Sequence, residues 1–153
     1  NYVSLNCELQ HISELLAEKI GKKSLKLKEI KKKVTYQDPC RLGRHLGIYD
    51  AARKVLEAIP GIELVEMEHN KMDAICCGTS AFTNCEAYSN MIRQQRLSEA
   101  KATGAEILIT SCPKCQTHFR CAMEDKGEEH RPTPKIEIMD LANLVANAIE
   151  EGR

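Results

Sequence analysis

Apolar positions along this chain switch between the spacing of a helix and that of a strand, and the switches predict its elements. In residues 11–20 (HISELLAEKI), Leu15, Leu16 and Ile20 share one helical face behind Ser13, the expected N-cap. Val34-Thr35-Tyr36-Gln37 has strand character and is stopped by Asp38-Pro39. Residues 48–59 return to helical spacing through Ile48, Ala52, Val55, Leu56 and Ile59, and Pro60-Gly61 ends them. Ile62 to Met67 alternates as a second strand. A long helix is expected over about 84–102, closed by Gly104 as a left-handed cap. Ile107-Leu108-Ile109-Thr110 is apolar nearly throughout, the mark of a strand buried on both faces. Pro113 stands where a first helical residue belongs and opens a helix to about Asp125. Polar residues 127–134 read as a loop and Lys135 to Ile138 as a fourth strand. Asp140 then caps a last helix that turns Leu141, Leu144, Val145 and Ile149 inward.

Four strand–helix pairs predict an α/β fold, with a mainly parallel sheet flanked by helices. Residues 1–33 are expected to supply an N-terminal helix and a lysine-rich connector, and 34–153 the main domain, the two forming one compact unit. A length of 153 residues suits a single domain with an ordinary core. The chain has no initiator Met and is read as a piece of something longer. Its first residues have no basic and apolar run of a signal peptide, and no apolar run approaches the ~20 residues that span a bilayer.

Charge excludes one class of partner. Twenty-two Lys plus Arg balance twenty-two Asp plus Glu, so no global field favours nucleic acid or anionic lipid. The segment Lys22 to Lys33 holds seven lysines and one acid, Glu29. No aromatic residues interleave those lysines, which again speaks against a nucleic-acid site. A solvated connector is the plain reading; a docking patch for an acidic partner is the sharper one.

The candidate chemistry lies in the cysteines. Eight occur here with no tryptophan, in a chain large enough to need no disulfide staples, which points to metal binding or redox work in a cytosolic protein. Cys40 follows the first predicted strand, Cys76-Cys77-Gly78 the second, and Cys112-Pro113-Lys114-Cys115 the third. Between Cys40 and Cys76 stand 35 residues, and between Gly78 and Cys112 stand 33. In an open α/β sheet all three places lie along the carboxyl edge, where ligands bind. One pocket could therefore collect five sulfurs.

Three kinds of chemistry use such a set. An iron–sulfur cluster with more than four thiolate positions uses all five, and the helix opening at Pro113 would offer an anionic cluster its positive end. Gly78 would let backbone N–H groups approach its sulfur and raise its reduction potential. A structural zinc takes four ligands and leaves one over. A dithiol relay explains Cys112 and Cys115 at a helix N-terminus but not the other three. Adjacent Cys76 and Cys77 are a poor disulfide pair, because neighbouring Cα atoms lie about 3.8 Å apart.

The pattern Cys40, Cys76-Cys77-Gly78 and Cys112-x-x-Cys115 resembles the "CCG" cysteine-rich domain of heterodisulfide reductases and related iron–sulfur oxidoreductase subunits. Tyr36 to Arg44, Ile59 to Leu64 and Gly104 to Thr110 extend the likeness, which covers about Val34 to Val145. The resemblance implies a non-cubane [4Fe-4S] cluster held by Cys40, Cys76, Cys77, Cys112 and Cys115, with zinc at the corresponding site in some members. It implies passage of single electrons to a small disulfide, a protein disulfide or a related acceptor at an exposed iron. The implied partners are other iron–sulfur or flavin subunits, with a membrane-bound partner on the cytoplasmic face as one arrangement. A non-catalytic docking or electron-relay module is the second reading. Many members carry a glycine-rich run after the CCG, whereas this chain has Thr79-Ser80-Ala81-Phe82-Thr83-Asn84-Cys85. Bulkier side chains there would narrow access or change hydrogen bonding at the cluster.

Other residues are expected in minor roles. Cys7, Cys85 and Cys121 read as small buried hydrophobes, with Cys85 close enough to the CCG to serve as a ligand or resolving thiol. Cys76 and Cys77 are the residues expected at the reacting centre. His45 or His118 would donate a proton to a departing thiolate, since imidazole exchanges protons near neutral pH. Arg41 and Arg44 would meet a carboxylate or phosphate on a substrate, or else pair with surface acids. Lys114 would offset cluster charge.

Overall fold

A computed structural model of the chain describes residues 7–79, 87–124 and 133–150. Four strands, β1 (Lys32–Gln37), β2 (Ile62–Leu64), β3 (Ile107–Thr110) and β4 (Glu137–Asp140), pair side by side in the order β2-β1-β3-β4, and every pair is parallel. The expected α/β fold with a parallel sheet is therefore observed. The helices are α1 (Ile12–Gly21), α2 (Asp50–Ala58), α3 (Ala87–Ala102), α4 (Pro113–Glu124) and α5 (Leu141–Ala148). The chain winds from β1 outward to β2, then crosses back to the other side of β1 for β3 and β4. That reversal puts the topological switch point between β1 and β3, where open sheets of this class form a crevice beyond their carboxyl ends.

Alternation along the central strands feeds two cores. Val34, Tyr36, Ile107 and Ile109 point to one face, where Val55, Leu56 and Ile59 from the α2 region and Leu141, Leu144 and Val145 of α5 bury them. Leu108 and Ile138 point to the other, against Leu97 of α3 and Phe119 of α4. β3 is buried throughout, as its apolar run predicts. α1 packs outside the first core through Leu16, Ala17 and Ile20. The lysine-rich stretch is tied down by its backbone. Leu27 bridges Ile149, Lys28 N–H donates to the Ala148 carbonyl, and Ile30 N–H donates to the Pro60 carbonyl. Lys32 and Lys33 already belong to β1.

Several boundaries differ from the sequence expectation for local reasons. His11, not Ser13, caps α1: its imidazole accepts from Ser13 N–H, while the Glu14 carboxylate accepts from His11 N–H. This is a reciprocal capping box with histidine in the usual serine place. Ser13 is instead fully buried. β2 stops at Leu64, short of Met67, with Val65 N–H making a last bond to the Val34 carbonyl of β1. β4 starts at Glu137, two residues later than expected, and ends at Asp140. Asp140 caps α5 as expected, accepting from Ala142 N–H at 2.8 Å. Ile149 is half-exposed beyond the end of α5 rather than inward, since the helix closes at Ala148. Positions 84–86, 125 and 127–132 lie outside the described residues.

Candidate metal centre

Three loops at the carboxyl edge of the sheet carry cysteine. β1 runs through Asp38-Pro39 to Cys40, the N-cap of a π-helical turn at Arg41–His45. Such turns are uncommon and recur at functional sites. Gly43 lets this one lie against Tyr49, since a Cβ there would come 2.4 Å from the Tyr49 ring. The second loop leaves β2, makes a 3-10 turn at Lys71–Asp73 and reaches Cys76-Cys77-Gly78. The third leaves β3 at Ser111-Cys112; Pro113 then opens α4, on whose first turn Cys115 stands.

The three loops face one cavity of about 260 Å³, whose walls include Cys40, Cys76, Cys77, Cys112 and Cys115. Arg41, His45, Lys114, Pro39 and Thr79 complete its lining. A larger depression of about 590 Å³ lies open on the outer face of α4 beside Thr117, Arg120, Cys121 and Glu124. It has one thiol and no converging donors, so the smaller cavity is the candidate site.

Cys77 lies beside Cys76 and Cys115, and Cys115 beside Cys112, close enough for each sulfur to shift its neighbour's thiol. Bonds from Cys115, then from Cys76 and Thr79, pull the Cys77 thiol far below the ordinary thiol range. Cys115 is pushed up, because it keeps the proton that Cys112 and Cys77 accept and is itself buried. Cys112 is pulled down to about 6 by the Cys115 thiol and, against a cost of burial, by the backbone N–H groups of Cys115 and Lys114. Those N–H groups are the open end of α4, the positive pole of its dipole. Both downward shifts favour the thiolate, the form that binds soft metals.

Donor type and space can be tested against the two candidate occupants. Four thiolates about one zinc, each at about 2.3 Å, would lie within about 4 Å of one another. Among the described residues, no three His, Cys, Asp or Glu side chains close on a single-ion position. The cavity of about 260 Å³ is several times the ~30 Å³ share of one water. Five sulfurs brought to the wall of such a space fit a group larger than one ion.

Of the other residues singled out in the sequence, some reach the cavity and some do not. Arg41, His45 and Lys114 line it, and none of its lining residues is an acid. Arg44 turns away and donates to the Ala74 carbonyl, so it braces the approach to Cys76. His118 is held by its Nδ1 at 3.3 Å from the Cys77 carbonyl. Gly78 has φ +83 and presses on α3: a Cβ there would meet the Ser89 carbonyl and Arg93 Cγ, each at 2.7 Å. Ser89 Oγ donates to the Gly78 carbonyl at 2.7 Å. Cys7 and Cys121 are exposed, not buried. On α4 the inward stripe is Cys115, Phe119 and Ala122, which puts Cys121 on the outer side. Cys85 lies outside the described residues.

Thr79, first of the residues after the CCG expected to change hydrogen bonding there, holds its hydroxyl 3.1 Å from the Cys77 sulfur. Sequence reasoning missed the buried polar braces Gln37, Asp38, Arg53 and Arg96. A signal existed for Asp38: a carboxylate between an apolar strand and Pro39 calls for a partner as well as a turn.

Residues 34–120 match the family model for the CCG cysteine-rich domain. The chain belongs to the CCG family. It is 36% identical, over 93% of its length, to a subunit of the dihydromethanophenazine:CoB–CoM heterodisulfide reductase of Methanosarcina mazei. It is also 32% identical over 86% of its length to a subunit of the fumarate reductase (CoM/CoB) of Methanothermobacter marburgensis. A third relative, the probable iron–sulfur-binding oxidoreductase FadF of Bacillus subtilis, is 30% identical over 93% of the chain. The chain spans 34%, 26% and 20% of the length of these three proteins, about a third or less of each. Among the described residues, no helix is long and apolar enough to cross a membrane.

Proposed function

We propose that this CCG domain holds an iron–sulfur cluster, of the non-cubane [4Fe-4S] type, on Cys40, Cys76, Cys77, Cys112 and Cys115. In this reading it passes single electrons to a disulfide or related acceptor, as one segment or subunit of a larger redox assembly. The observation that carries the proposal is the lining of one cavity by five sulfurs from three loops. Relatives named as heterodisulfide reductase, fumarate reductase and iron–sulfur-binding oxidoreductase proteins support it.

When bound, the cluster would supply electrons one at a time. Reduction of a disulfide takes two electrons and two protons and yields two thiols. His45, exposed on the cavity wall, is suited to hand over a proton. Arg41 and Lys114 set a positive rim that suits an acceptor bearing a carboxylate or phosphate. Cys76 and Cys77 hold the reacting centre. The electron donor is then an iron–sulfur or flavin subunit, and free thiols suit a reducing compartment such as the cytoplasm.

A second reading has its own support. Four of the cavity's sulfurs, those of Cys76, Cys77, Cys112 and Cys115, act on one another's thiols, and four is the number zinc takes. A zinc-stabilised docking or relay module would use them without acceptor chemistry.

Anaerobic reconstitution with iron and sulfide separates the two. Several irons per chain, with an electron paramagnetic resonance signal altered by added disulfide after reduction, are expected. Replacing Cys76 or Cys77 by Ser should remove iron and activity together. About one zinc and no iron after reconstitution would overturn the cluster proposal in favour of the second reading.

A further inference from the structure

Resting on the cluster reading above, we propose that Gln37 is a positioning residue, fixing the Cys76-Cys77 loop relative to the loops of Cys40 and Cys112. Gln37 ends β1 and is 1% exposed. Its Nε2 donates to the carbonyl of Ile75 at 3.1 Å, in the very peptide plane whose N–H belongs to Cys76. The same nitrogen donates to the Asp38 carbonyl at 3.0 Å, two residues before Cys40. The Gln37 main-chain carbonyl accepts from Thr110 Oγ1 at 3.2 Å, two residues before Cys112. One residue thus touches the approaches to all three cysteine groups.

A buried amide can flip, and the structure contains what prevents it. Arg96 Nε donates to Gln37 Oε1 at 2.5 Å. A guanidinium cannot accept a hydrogen bond, so the amide oxygen must face Arg96 and the nitrogen must face Ile75. Arg96 is fully buried and is itself anchored, through Nη1, to the His69 carbonyl and to Glu99, each at 2.7 Å. Glu99 in turn accepts from His69 N–H at 2.6 Å. The chain of bonds runs from α3 through Arg96 and Gln37 to the peptide of Cys76.

Gln37→Glu tests this while keeping the fold anchored. The carboxylate strengthens the bond to Arg96, but it has no N–H for Ile75 and sets two oxygens against each other. In metal-free protein at pH 9, where free thiols are largely ionised, iodoacetamide alkylation is followed residue by residue. Cys76 should react about fivefold faster in the variant, the factor one such bond is worth. Cys121, exposed on α4, should not change and serves as the internal control. Reconstituted variant protein should give a shifted paramagnetic resonance spectrum. If circular dichroism shows that Gln37→Glu does not fold, Arg96→Met removes the donor that fixes the amide, frees it to flip and should produce a smaller acceleration at Cys76 alone. Unchanged Cys76 reactivity, or an equal rise at Cys76 and Cys121, would overturn the positioning role. Wild-type protein that takes up no iron would sink the cluster reading, while the alkylation contrast would still decide whether Gln37 positions Cys76.

Discussion

Arg53 grips Asp38 through two parallel bonds, Nη1 to Oδ1 at 2.8 Å and Nη2 to Oδ2 at 2.9 Å, and both side chains are nearly sealed from solvent. The remaining donors of Arg53 go to Glu66 and to the Tyr49 carbonyl, so none of the five is wasted. Its guanidinium also lies 5.4 Å from the centroid of the Tyr36 ring. Asp38 Oδ2 accepts in addition from Lys71 N–H at 2.8 Å. The pair therefore does more than neutralise charge: it joins the end of β1, two residues before Cys40, to the turn that leads into Cys76.

Removing one partner should cost more than removing both. Asp38→Ala takes two of the five bonds from a buried guanidinium, leaving Glu66 as its carboxylate partner, and should lower the unfolding free energy by about 1.5–3 kcal/mol. The double change of Asp38→Leu with Arg53→Met should recover part of that loss, because the carboxylate it leaves behind, Glu66, is 36% exposed and can be hydrated. Urea unfolding of the three proteins checks both points. A loss below about 1 kcal/mol for Asp38→Ala would mean that the pair behaves as a solvated one.

Gly78→Ala combines two faults. It asks an L-residue to adopt φ +83, and it drives a methyl into the Ser89 carbonyl and Arg93 Cγ. Overpacking of this kind costs about 1–3 kcal/mol, and the left-handed backbone adds about 1–2 kcal/mol more. Ser89→Ala should cost about 1 kcal/mol, the bond to the Gly78 carbonyl alone. Thermal unfolding of metal-free protein should rank the two in that order; equal losses would show that α3 can yield.

The metal-free protein should show the lowered Cys112 thiol directly. Alkylation at Cys112 should follow a titration centred near pH 6, where an unperturbed thiol is almost wholly protonated. Folding lowers this value from the ordinary 9.0. Its stabilising contribution is therefore complete above about pH 9 and is lost as pH falls through about 6. Cys112→Ser should remove that part of the pH dependence of stability. A Cys112 titration centred near 8.5 would show that the α4 N-terminus and Cys115 do not act on it.

Local chemistry determined much of this domain before any packing was considered. The apolar run of β3, Pro113 at the first turn of α4, Asp140 before α5 and Gly104 after α3 each work within a few residues, and each stands where the pattern set it. The cysteine spacing likewise follows from an alternating strand–helix sequence, because each βα turn delivers its residues to the same edge of a parallel sheet. What reads along the chain is thus element type and the edge a residue reaches.

Tertiary structure decided what depends on groups far apart in the chain. No local pattern distinguishes Arg41, which faces the cavity, from Arg44, which braces the Ala74 carbonyl; the π-helical turn sets them apart. Nor does any pattern join Gln37 to Ile75 and Arg96, or Arg53 to Asp38, across separations of 38, 59 and 15 residues. Burial removes water from these groups and leaves only each other as partners. Their pairing therefore comes from the order β2-β1-β3-β4, which brings β1 and β3 together and aims three loops at one point.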